Sequence, residues 1–547
     1  MGRTVKRRMS PRLRRGTASG VLALSAVVFL GGAAAVPVAS AHPVIEPQTE
    51  EVKQRSVAAD RDTPPVVRWH QCADNWQVGR GWKCGTLDTP LDHRNPEKGT
   101  LNLAVAKLPA TEPSQRIGSL IMNPGGPGGS GIEEADSEGW PTFVTKEVRR
   151  RFDLVTYDPR GVAHSIPALN CVTPTPRPLD AQEDDDDQSK SPRTESEMRD
   201  QLQDTDDTGA QCVKNAGWLV PYMTTVDNVH DLDRLRQAVG DSKLSYLGVS
   251  YGTTIGTVYA NTYPDRVRSL ILHGVVDAKT QTNDAGAYSL SEAVGDEATV
   301  RAALRACDRD PKHCAFHGNA EKKFDRLARH LGDTHKPRSA PVKTWNQFVD
   351  LAHLLDSDSR KDIRHAAEGL QSLYEQTFPA TKDAYGASNA VGTKEAKPSR
   401  RNEEDVLETT DCLDLPRLPK ENGPWLTRFA SARAKSPVFG PAEILTDIAC
   451  RDWPDDHRAA LPRYTGPWNK LKSPVLVMNQ QWDWHTPLKW AQNMTTALDQ
   501  PGMVVINGFG HGDPTDCSRR WTQDYLSHGK VPTNVTKCND GNTTPFS

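Results

Sequence analysis

A serine between two glycines stands where a predicted strand meets a predicted helix. Gly248-Val-Ser-Tyr-Gly252 has the pattern G-x-S-x-G, follows the apolar run 244–247 and precedes a helical pattern over 251–263. A serine at such a turn has a strained backbone that projects its hydroxyl above the sheet, and the glycines permit the tight approach. The dipole of the following helix favours negative charge at the same place. We therefore predict that Ser250 is a nucleophile, with an ordinary glycine-bounded turn as the alternative.

A nucleophilic serine requires a base, and the base requires an orienting carboxylate. In an α/β-hydrolase these groups follow the serine in the order aspartate, histidine. His511 lies between two glycines after the apolar run 502–506, which is not typical of a packed core histidine, so we predict that it is the general base. His485 is the alternative base, but it would reverse the expected chain order.

The orienting carboxylate is predicted to be Asp483. It follows the apolar run 473–478, at the end of a strand where ligands of an open parallel sheet bind. Three other aspartates compete for this role: Asp447, Asp452 and Asp499.

A glycine-rich loop, Asn123-Pro-Gly-Gly-Pro-Gly-Gly-Ser-Gly131, follows an earlier apolar strand at 119–122. It lacks the G-K-[ST] and G-x-G-x-x-G patterns of phosphate-binding loops. Its predicted role is an oxyanion hole, in which backbone amides stabilise the tetrahedral intermediate. One donor is the amide of Tyr251, and the second is that of Gly125 or Gly126; a plain flexible loop is the alternative.

The elements that position these residues alternate between strands and helices. Strands are predicted at 101–108, 119–122, 152–157, 244–247, 269–272, 473–478 and 502–506, and helices at 225–239 and 251–263. This order predicts an α/β fold with a mostly parallel central sheet flanked by helices, the α/β-hydrolase fold.

The sheet is predicted to be split by a mainly helical cap. Amphipathic segments at 324–331, 345–355 and 362–374 have no strand between them. The predicted organisation is a core in two parts, 66–277 and 466–547, with the cap inserted as residues 278–465. A polar tract at 179–209, which includes Asp184–Asp187, lacks apolar residues and is predicted to be a solvated insertion.

The N-terminus has the pattern of a secretory signal peptide. A basic lead, an apolar run from Val21 to about Val36 and the small residues Ala39-Ser-Ala41 predict cleavage after residue 41. The apolar run is shorter than the ~20 residues that span a bilayer, so a membrane anchor is the less favoured alternative. Residues 42–65 are predicted to form a flexible lead or a propeptide.

Export makes the ten cysteines candidates for disulfides. Pairing of sequence neighbours is the simplest connectivity: 72–84, 171–212, 307–314, 412–450 and 517–538. A zinc site at Cys307, His313, Cys314 and His317 is the alternative to the third pair, but it lacks the C-x-x-C element of common zinc motifs.

Composition excludes one class of partner. The chain has 67 Lys+Arg against 70 Asp+Glu and a net charge of −3, so it lacks the basic surplus that nucleic-acid binding requires. After removal of the signal peptide no association with a membrane is predicted, and no metal or organic cofactor is required by the serine chemistry.

Taken together, the motifs resemble the secreted tripeptidyl aminopeptidase family of actinobacteria, α/β-hydrolase serine exopeptidases related to prolyl iminopeptidases. The resemblance runs in order from about residue 66 to 540. It is carried by the glycine loop, Asp158-Pro-Arg-Gly161, Gly248–Thr253, Asp483 with Thr486-Pro487, Gly510-His-Gly512, and the C-terminal Cys517, Tyr525-Leu526 and Cys538. It implies the triad Ser250, Asp483 and His511, and release of short peptides, often tripeptides, from free N-termini of peptide or protein substrates.

An exopeptidase must also bind a free α-ammonium group, which calls for carboxylates near the cleft. The sequence offers Glu133, Glu134, Glu403, Glu404 and Asp405, although any one of them is more simply a solvated surface acid. Two other functions are consistent with the sequence: a secreted carboxylic-ester hydrolase with the same triad, and a non-catalytic binding protein on a hydrolase scaffold.

Overall fold

The structure, a computed structural model, describes residues 64–73, 76–171, 191–203, 208–334, 342–357, 359–379, 398–454 and 462–547. The predicted signal peptide, nearly all of the predicted lead and Asp184–Asp187 lie outside these residues. The strands are β1 (Val67–His70), β2 (Lys83–Pro90), β3 (Thr100–Leu108), β4 (Gly118–Asn123), β5 (Phe152–Tyr157), β6 (Leu244–Ser250), β7 (Val267–Val275), β8 (Leu476–Trp482), β9 (Met503–Phe509) and β10 (Val535–Cys538). The helices are α1 (Lys146–Arg151), α2 (Glu195–Gln201), α3 (Thr208–Ala216), α4 (Thr225–Ala238), α5 (Tyr251–Thr262), α6 (Ala278–Asn283), α7 (Ala285–Arg309), α8 (Ala320–Leu331), α9 (Val342–His353), α10 (Arg360–Thr377), α11 (Pro398–Asp414), α12 (Asn422–Lys435), α13 (Gly440–Thr446), α14 (Ile448–Asp452), α15 (Leu488–Ala497) and α16 (Asp516–His528).

The strands form one sheet in the order β1-β2-β3-β5-β4-β6-β7-β8-β9-β10. The pairs β1–β2, β2–β3 and β3–β5 are antiparallel, and all pairs from β5 through β4 to β10 are parallel. The mostly parallel sheet predicted from the sequence is therefore confirmed. Because the carboxyl ends of parallel strands meet at one edge, the loops after β4, β6, β8 and β9 lie together there.

The central strands are apolar runs because both faces of the sheet are covered. All six residues of β4 are buried. Ile121 belongs to the core on one face, whereas Leu120 and Met122 belong to the core on the other. This alternation is the period-2 geometry of a strand between two layers of helices, and it explains the lack of polar alternation in the sequence.

The strand before Asp483 differs from its predicted position. The sequence pattern places it at 473–478, whereas β8 runs from Leu476 to Trp482. The polar residues Gln480 and Gln481 extend the strand because β8 continues to pair with β9 up to Trp482. Asp483 therefore follows the last strand residue directly. The strands β1, β2 and β10 were not predicted.

Between β7 and β8 the described residues hold helices α6 to α14 and no strand. The three predicted amphipathic segments fall in α8, α9 and α10, and a separate apolar core that includes Phe316, Phe324 and Phe348 holds these helices together. The boundaries 278 and 465 for a cap stay a prediction.

The prediction that 179–209 is a solvated insertion is wrong for its C-terminal part. Residues 195–201 form α2, and Met198 and Leu202 are buried in the main core. Two apolar side chains at the spacing of one helical turn are enough to dock a short helix, a signal that the acidic surroundings obscure.

All five predicted disulfides are confirmed: Cys72–Cys84, Cys171–Cys212, Cys307–Cys314, Cys412–Cys450 and Cys517–Cys538. The alternative zinc site is therefore wrong, since both of its cysteines are bonded to each other. His313 instead pairs with Asp310, and His317 with the carbonyl of Cys314. In the described part of the chain, every helix is too short or too polar to cross a bilayer.

Candidate active site

Ser250 occupies the turn between β6 and α5. Its backbone has φ +54° and ψ −129°, a conformation that costs energy in a non-glycine residue. A methyl group on Gly252 would come within 2.6 Å of the Asn123 carbonyl oxygen, so only glycine fits there. The strained turn and the close approach of the glycine loop are the features that the G-x-S-x-G pattern predicts.

Asp483 and His511 are hydrogen-bonded to each other. The Nδ1 atom of His511 lies 2.9 Å from Asp483 Oδ1. The Asp483 side chain is fully buried and that of His511 is 13% exposed. Thr486 donates its amide to Asp483 Oδ1 and its hydroxyl to Oδ2. A buried carboxylate held in this way fixes the orientation of the imidazole, leaving Nε2 to act as the base.

The loop that carries His511 lies over the ends of β6 and β7. A methyl group on Gly512 would come within 2.4 Å of Val249 Cγ1, and one on Gly274 would lie 3.3 Å from His511 Cε1. Ser250 and His511 both line one cavity of about 510 Å³ at this edge of the sheet. The structure thus brings the three predicted triad residues to one site.

The glycine loop lies directly on the serine turn. A Cβ on Gly125 would lie 2.8 Å from Ser250 Cβ and 2.9 Å from the Tyr251 nitrogen. The Gly125 amide already donates to Asn123 Oδ1 at 3.0 Å. Gly126 lines the cavity together with Tyr251, and no described residue accepts its amide hydrogen. The geometry therefore favours Gly126 over Gly125 as the second oxyanion donor.

The competing residues have other contacts. Asp447 accepts from Ser289, and Asp452 pairs with Arg451. Asp499 lies in the turn after α15 with φ +55°. His485 lies beside His511, with ring centroids 4.9 Å apart and planes at 70°.

Acidic side chains line much of the same cavity. These residues, here called the acidic wall, are Glu292, Glu403, Glu408, Asp411, Glu443 and Asp447. They come from α7, α11, α13 and the turn between α13 and α14. None of the described residues that line the cavity is a lysine or an arginine. Arg428 lies 3.7 Å from Asp447 at one end of the wall.

Burial raises the pKa of several wall carboxyls, because a charged carboxylate loses its hydration there. Burial and the neighbouring Asp414 and Asp447 raise the pKa of Asp411 to about 8. Burial, with a smaller contribution from Asp447, raises the pKa of Glu443 to about 7. Burial also raises the pKa of Asp447 to about 7, although Ser289 and Arg428 oppose the shift. The wall is therefore partly protonated near neutral pH in the absence of a cation.

Most of the acids predicted to bind an ammonium group lie outside the acidic wall. Glu403 is in the acidic wall, whereas Glu133, Glu134 and Glu404 are exposed and are not among its residues. Asp405 accepts from the amide of Cys171. Sequence reasoning missed the remaining wall residues because they are scattered over the helical region. No common spacing marks them in the chain, and Asp447 lies between two helices.

Two family comparisons agree with this geometry. The family described as alpha/beta hydrolase fold matches residues 118–368, and the family described as TAP-like protein matches residues 436–538. The fold and the site therefore define an α/β-hydrolase.

Individual relatives identify the family within the α/β-hydrolases more closely. The chain is 29% identical to the tripeptidyl aminopeptidase of Streptomyces lividans, covering 97% of this chain and 98% of that protein. It is 30% identical to the serine protease Hip1 of Mycobacterium tuberculosis, covering 86% of this chain and 91% of the relative. It is 28% identical to carboxylesterase B of the same organism, covering 97% of this chain and all of the relative. The chain belongs to the tripeptidyl aminopeptidase family of α/β-hydrolases and is a serine peptidase. The predicted resemblance is confirmed. Because the chain is a peptidase, the alternative of a non-catalytic binding protein is excluded.

Proposed function

We propose that this protein is a secreted exopeptidase that releases short peptides, mainly tripeptides, from free N-termini of peptides and proteins. Ser250 is the nucleophile, His511 the general base and Asp483 the residue that orients it. The amides of Tyr251 and Gly126 stabilise the oxyanion. No metal or organic cofactor takes part.

The reaction proceeds in two halves. His511 Nε2 accepts the Ser250 proton while Oγ attacks the scissile carbonyl carbon, and the oxyanion forms against the two amides. His511 then gives its proton to the leaving amine, the C–N bond breaks, and the released chain departs. Water, deprotonated by His511, attacks the acyl-enzyme and returns the Ser250 hydroxyl. Each half uses the same base and the same oxyanion donors.

The observation that carries the exopeptidase proposal is the acidic wall in the cavity of Ser250 and His511. A buried carboxylate without a cation is costly, whereas an ammonium group placed beside it restores the balance of charge. A substrate with a free N-terminus supplies such a group. An internal stretch of a protein chain does not, so the wall favours cleavage at a set distance from the N-terminus.

Secretion is supported by the signal-peptide pattern and by the five disulfides, which persist in oxidising compartments.

The test is mass spectrometry of the products from a defined peptide of about ten residues, free or N-acetylated. We expect stepwise loss of tripeptides from the free peptide and no cleavage of the acetylated one. Ser250→Ala, which removes only the nucleophilic hydroxyl, is the control for background cleavage. Equal cleavage of both peptides, or cuts at internal sites only, would contradict the proposal.

Ester hydrolysis is the second candidate, favoured by the similarity to carboxylesterase B and by the chemistry that the two reactions share. Short acyl esters and tripeptidyl-coumarin substrates distinguish the two. A higher kcat/KM for neutral esters would favour this second function, because esters have no group for the acidic wall to bind.

A further inference from the structure

We propose that His485 lines the subsite for the substrate residue that follows the scissile bond, and that its imidazole contacts this residue. This inference rests on the proposed function, since it requires Ser250 and His511 to catalyse acyl transfer. It assigns a specificity-determining role to a residue that the triad does not use.

The position of His485 places it beside the reacting atoms. It lies two residues after Asp483 and lines the cavity together with Ser250 and His511. Its ring meets that of His511 nearly edge-on, with 4.9 Å between centroids. Part of the His485 side chain is exposed, while protein atoms crowd the rest of the ring. A substrate bound at Ser250 therefore shares its cavity with this ring.

The direction of the reaction indicates which part of the substrate His485 meets. The leaving nitrogen must lie within hydrogen-bond distance of His511, because His511 protonates it. The acyl part extends toward the acidic wall, on helices α7, α11 and α13. His485 belongs to neither the wall nor its helices, but to the loop after β8, in ring contact with His511. This placement favours contact between His485 and the substrate residue that is attached to the leaving nitrogen.

The imidazole has the chemistry for such a contact. Burial, followed by repulsion from His511, lowers the pKa of His485 to about 4, so the ring is neutral at pH 7. No hydrogen bond joins its ring nitrogens to any other described residue, which leaves one donor and one acceptor for the substrate backbone. Its edges also offer an aromatic surface to an apolar side chain.

The experiment measures partitioning of the acyl-enzyme between water and added amines. A tripeptidyl-coumarin substrate acylates Ser250, and glycinamide, leucinamide or phenylalaninamide is then supplied as the acceptor. The amine nitrogen attacks the ester carbon, its proton passes through His511 to Ser250 Oγ, and a tetrapeptide amide forms in place of the tripeptide acid. The ratio of the two products reports amine binding on the leaving side alone.

We expect His485→Ala to raise by about tenfold the amine concentration at which the tripeptide acid and the tetrapeptide amide form in equal amounts. The same variant should abolish discrimination among the three amides. His485→Phe should retain the preference for phenylalaninamide, and it provides a second variant if His485→Ala folds poorly. Leu407→Ala alters the same cavity outside the His485 loop and should leave the partition unchanged.

Partitioning in His485→Ala and His485→Phe that matches the wild type would overturn the inference. So would a wild type that forms no tetrapeptide amide, because a subsite that binds the leaving residue must also retain the amine. If the wild type releases no coumarin and is not labelled by a fluorophosphonate, the proposed function itself fails, and this result is distinct from both.

Discussion

Thr486 binds both carboxylate oxygens of Asp483, with its amide 2.8 Å from Oδ1 and its hydroxyl 2.9 Å from Oδ2. The carboxylate cannot rotate without breaking one of these bonds. Oδ1 therefore stays directed at His511, and a threonine outside the triad determines the orientation of the base.

The first prediction concerns this threonine. Thr486→Val removes the hydroxyl bond to Oδ2 and leaves a buried carboxylate oxygen without a partner. A hydrogen bond to a charged group contributes about 1.5 kcal/mol or more, so we expect kcat to fall roughly tenfold or more. KM should change less than kcat because this bond joins two buried side chains. Thr486→Ser, which restores a hydroxyl, should recover most of kcat; equal losses in both variants would indicate a packing effect instead.

The second prediction concerns recognition of the substrate amine. Removing two carboxylates of the acidic wall with Glu443→Gln and Asp447→Asn should raise KM for tripeptidyl-coumarin about tenfold or more, with a smaller effect on kcat. An ion pair in a cavity is stronger than one on the surface because water screens it less. The exposed Glu133→Gln is the matched control and should leave KM unchanged. Labelling by a small fluorophosphonate, which has no amine, should be equally fast in the wild type, the double variant and the control.

The third prediction is a pH dependence that belongs to the wall. The pKa is about 8 for Asp411 and about 7 for Glu443 and Asp447, so Asp411 becomes neutral as the pH falls below 8 and the other two become neutral as it falls below 7. The substrate ammonium loses its own charge above its pKa of about 7.7–8.0. The ratio of kcat/KM for tripeptidyl-coumarin to the rate constant of fluorophosphonate labelling should thus be greatest near pH 7–8 and fall on both sides. A ratio that is flat from pH 5 to 7 would show that the wall does not bind the amine.

The fourth prediction concerns stability. The folded state keeps the Asp411 proton up to about pH 8, whereas an unfolded chain releases it near pH 4. Between these values the folded state binds more protons, so this carboxyl lowers the free energy of unfolding as the pH rises. Asp411→Asn should raise Tm by about 2 °C at pH 8 and by less at pH 5. Calorimetry at both pH values checks this, and a Tm gain that is equal at pH 5 and 8 would contradict it.

The fifth prediction concerns a buried ion pair beneath the sheet edge. Arg160 donates to both oxygens of Asp231, at 2.7 and 2.8 Å, and both side chains are fully buried. Arg160→Met removes the guanidinium and leaves Asp231 with His93 Nε2 at 2.7 Å and the Thr89 hydroxyl, and it should reduce the free energy of unfolding by about 3 kcal/mol in urea titrations. Arg68→Met breaks an ion pair whose side chains are 56% and 44% exposed, and should cost less than about 1 kcal/mol.

Some of the site was predictable because its signals are local. The strand, the turn and the helix around Ser250 are neighbours in the chain, so apolar runs and glycines specify the turn without reference to the rest of the molecule. Asp483 and His511 follow strands in the expected order, and sheet topology alone brings such loops to one edge. The neighbouring cysteine pairs were predictable for the same reason, since short loops close readily.

Other features depend on packing between distant segments. Glu292, Asp411 and Glu443 belong to three helices and have no common spacing, so no pattern in the chain indicates that they share a cavity. Gly125 and Gly126 are adjacent glycines, and only tertiary contacts distinguish them: the Gly125 amide donates to Asn123 Oδ1, whereas Gly126 lines the cavity. The partner of Arg160 lies 71 residues away. The amino-acid sequence by itself determined the elements and the chemistry at their ends, because backbone conformation responds to near neighbours. The tertiary structure decided which carboxylates face the serine, because helix packing depends on the shape of the whole core.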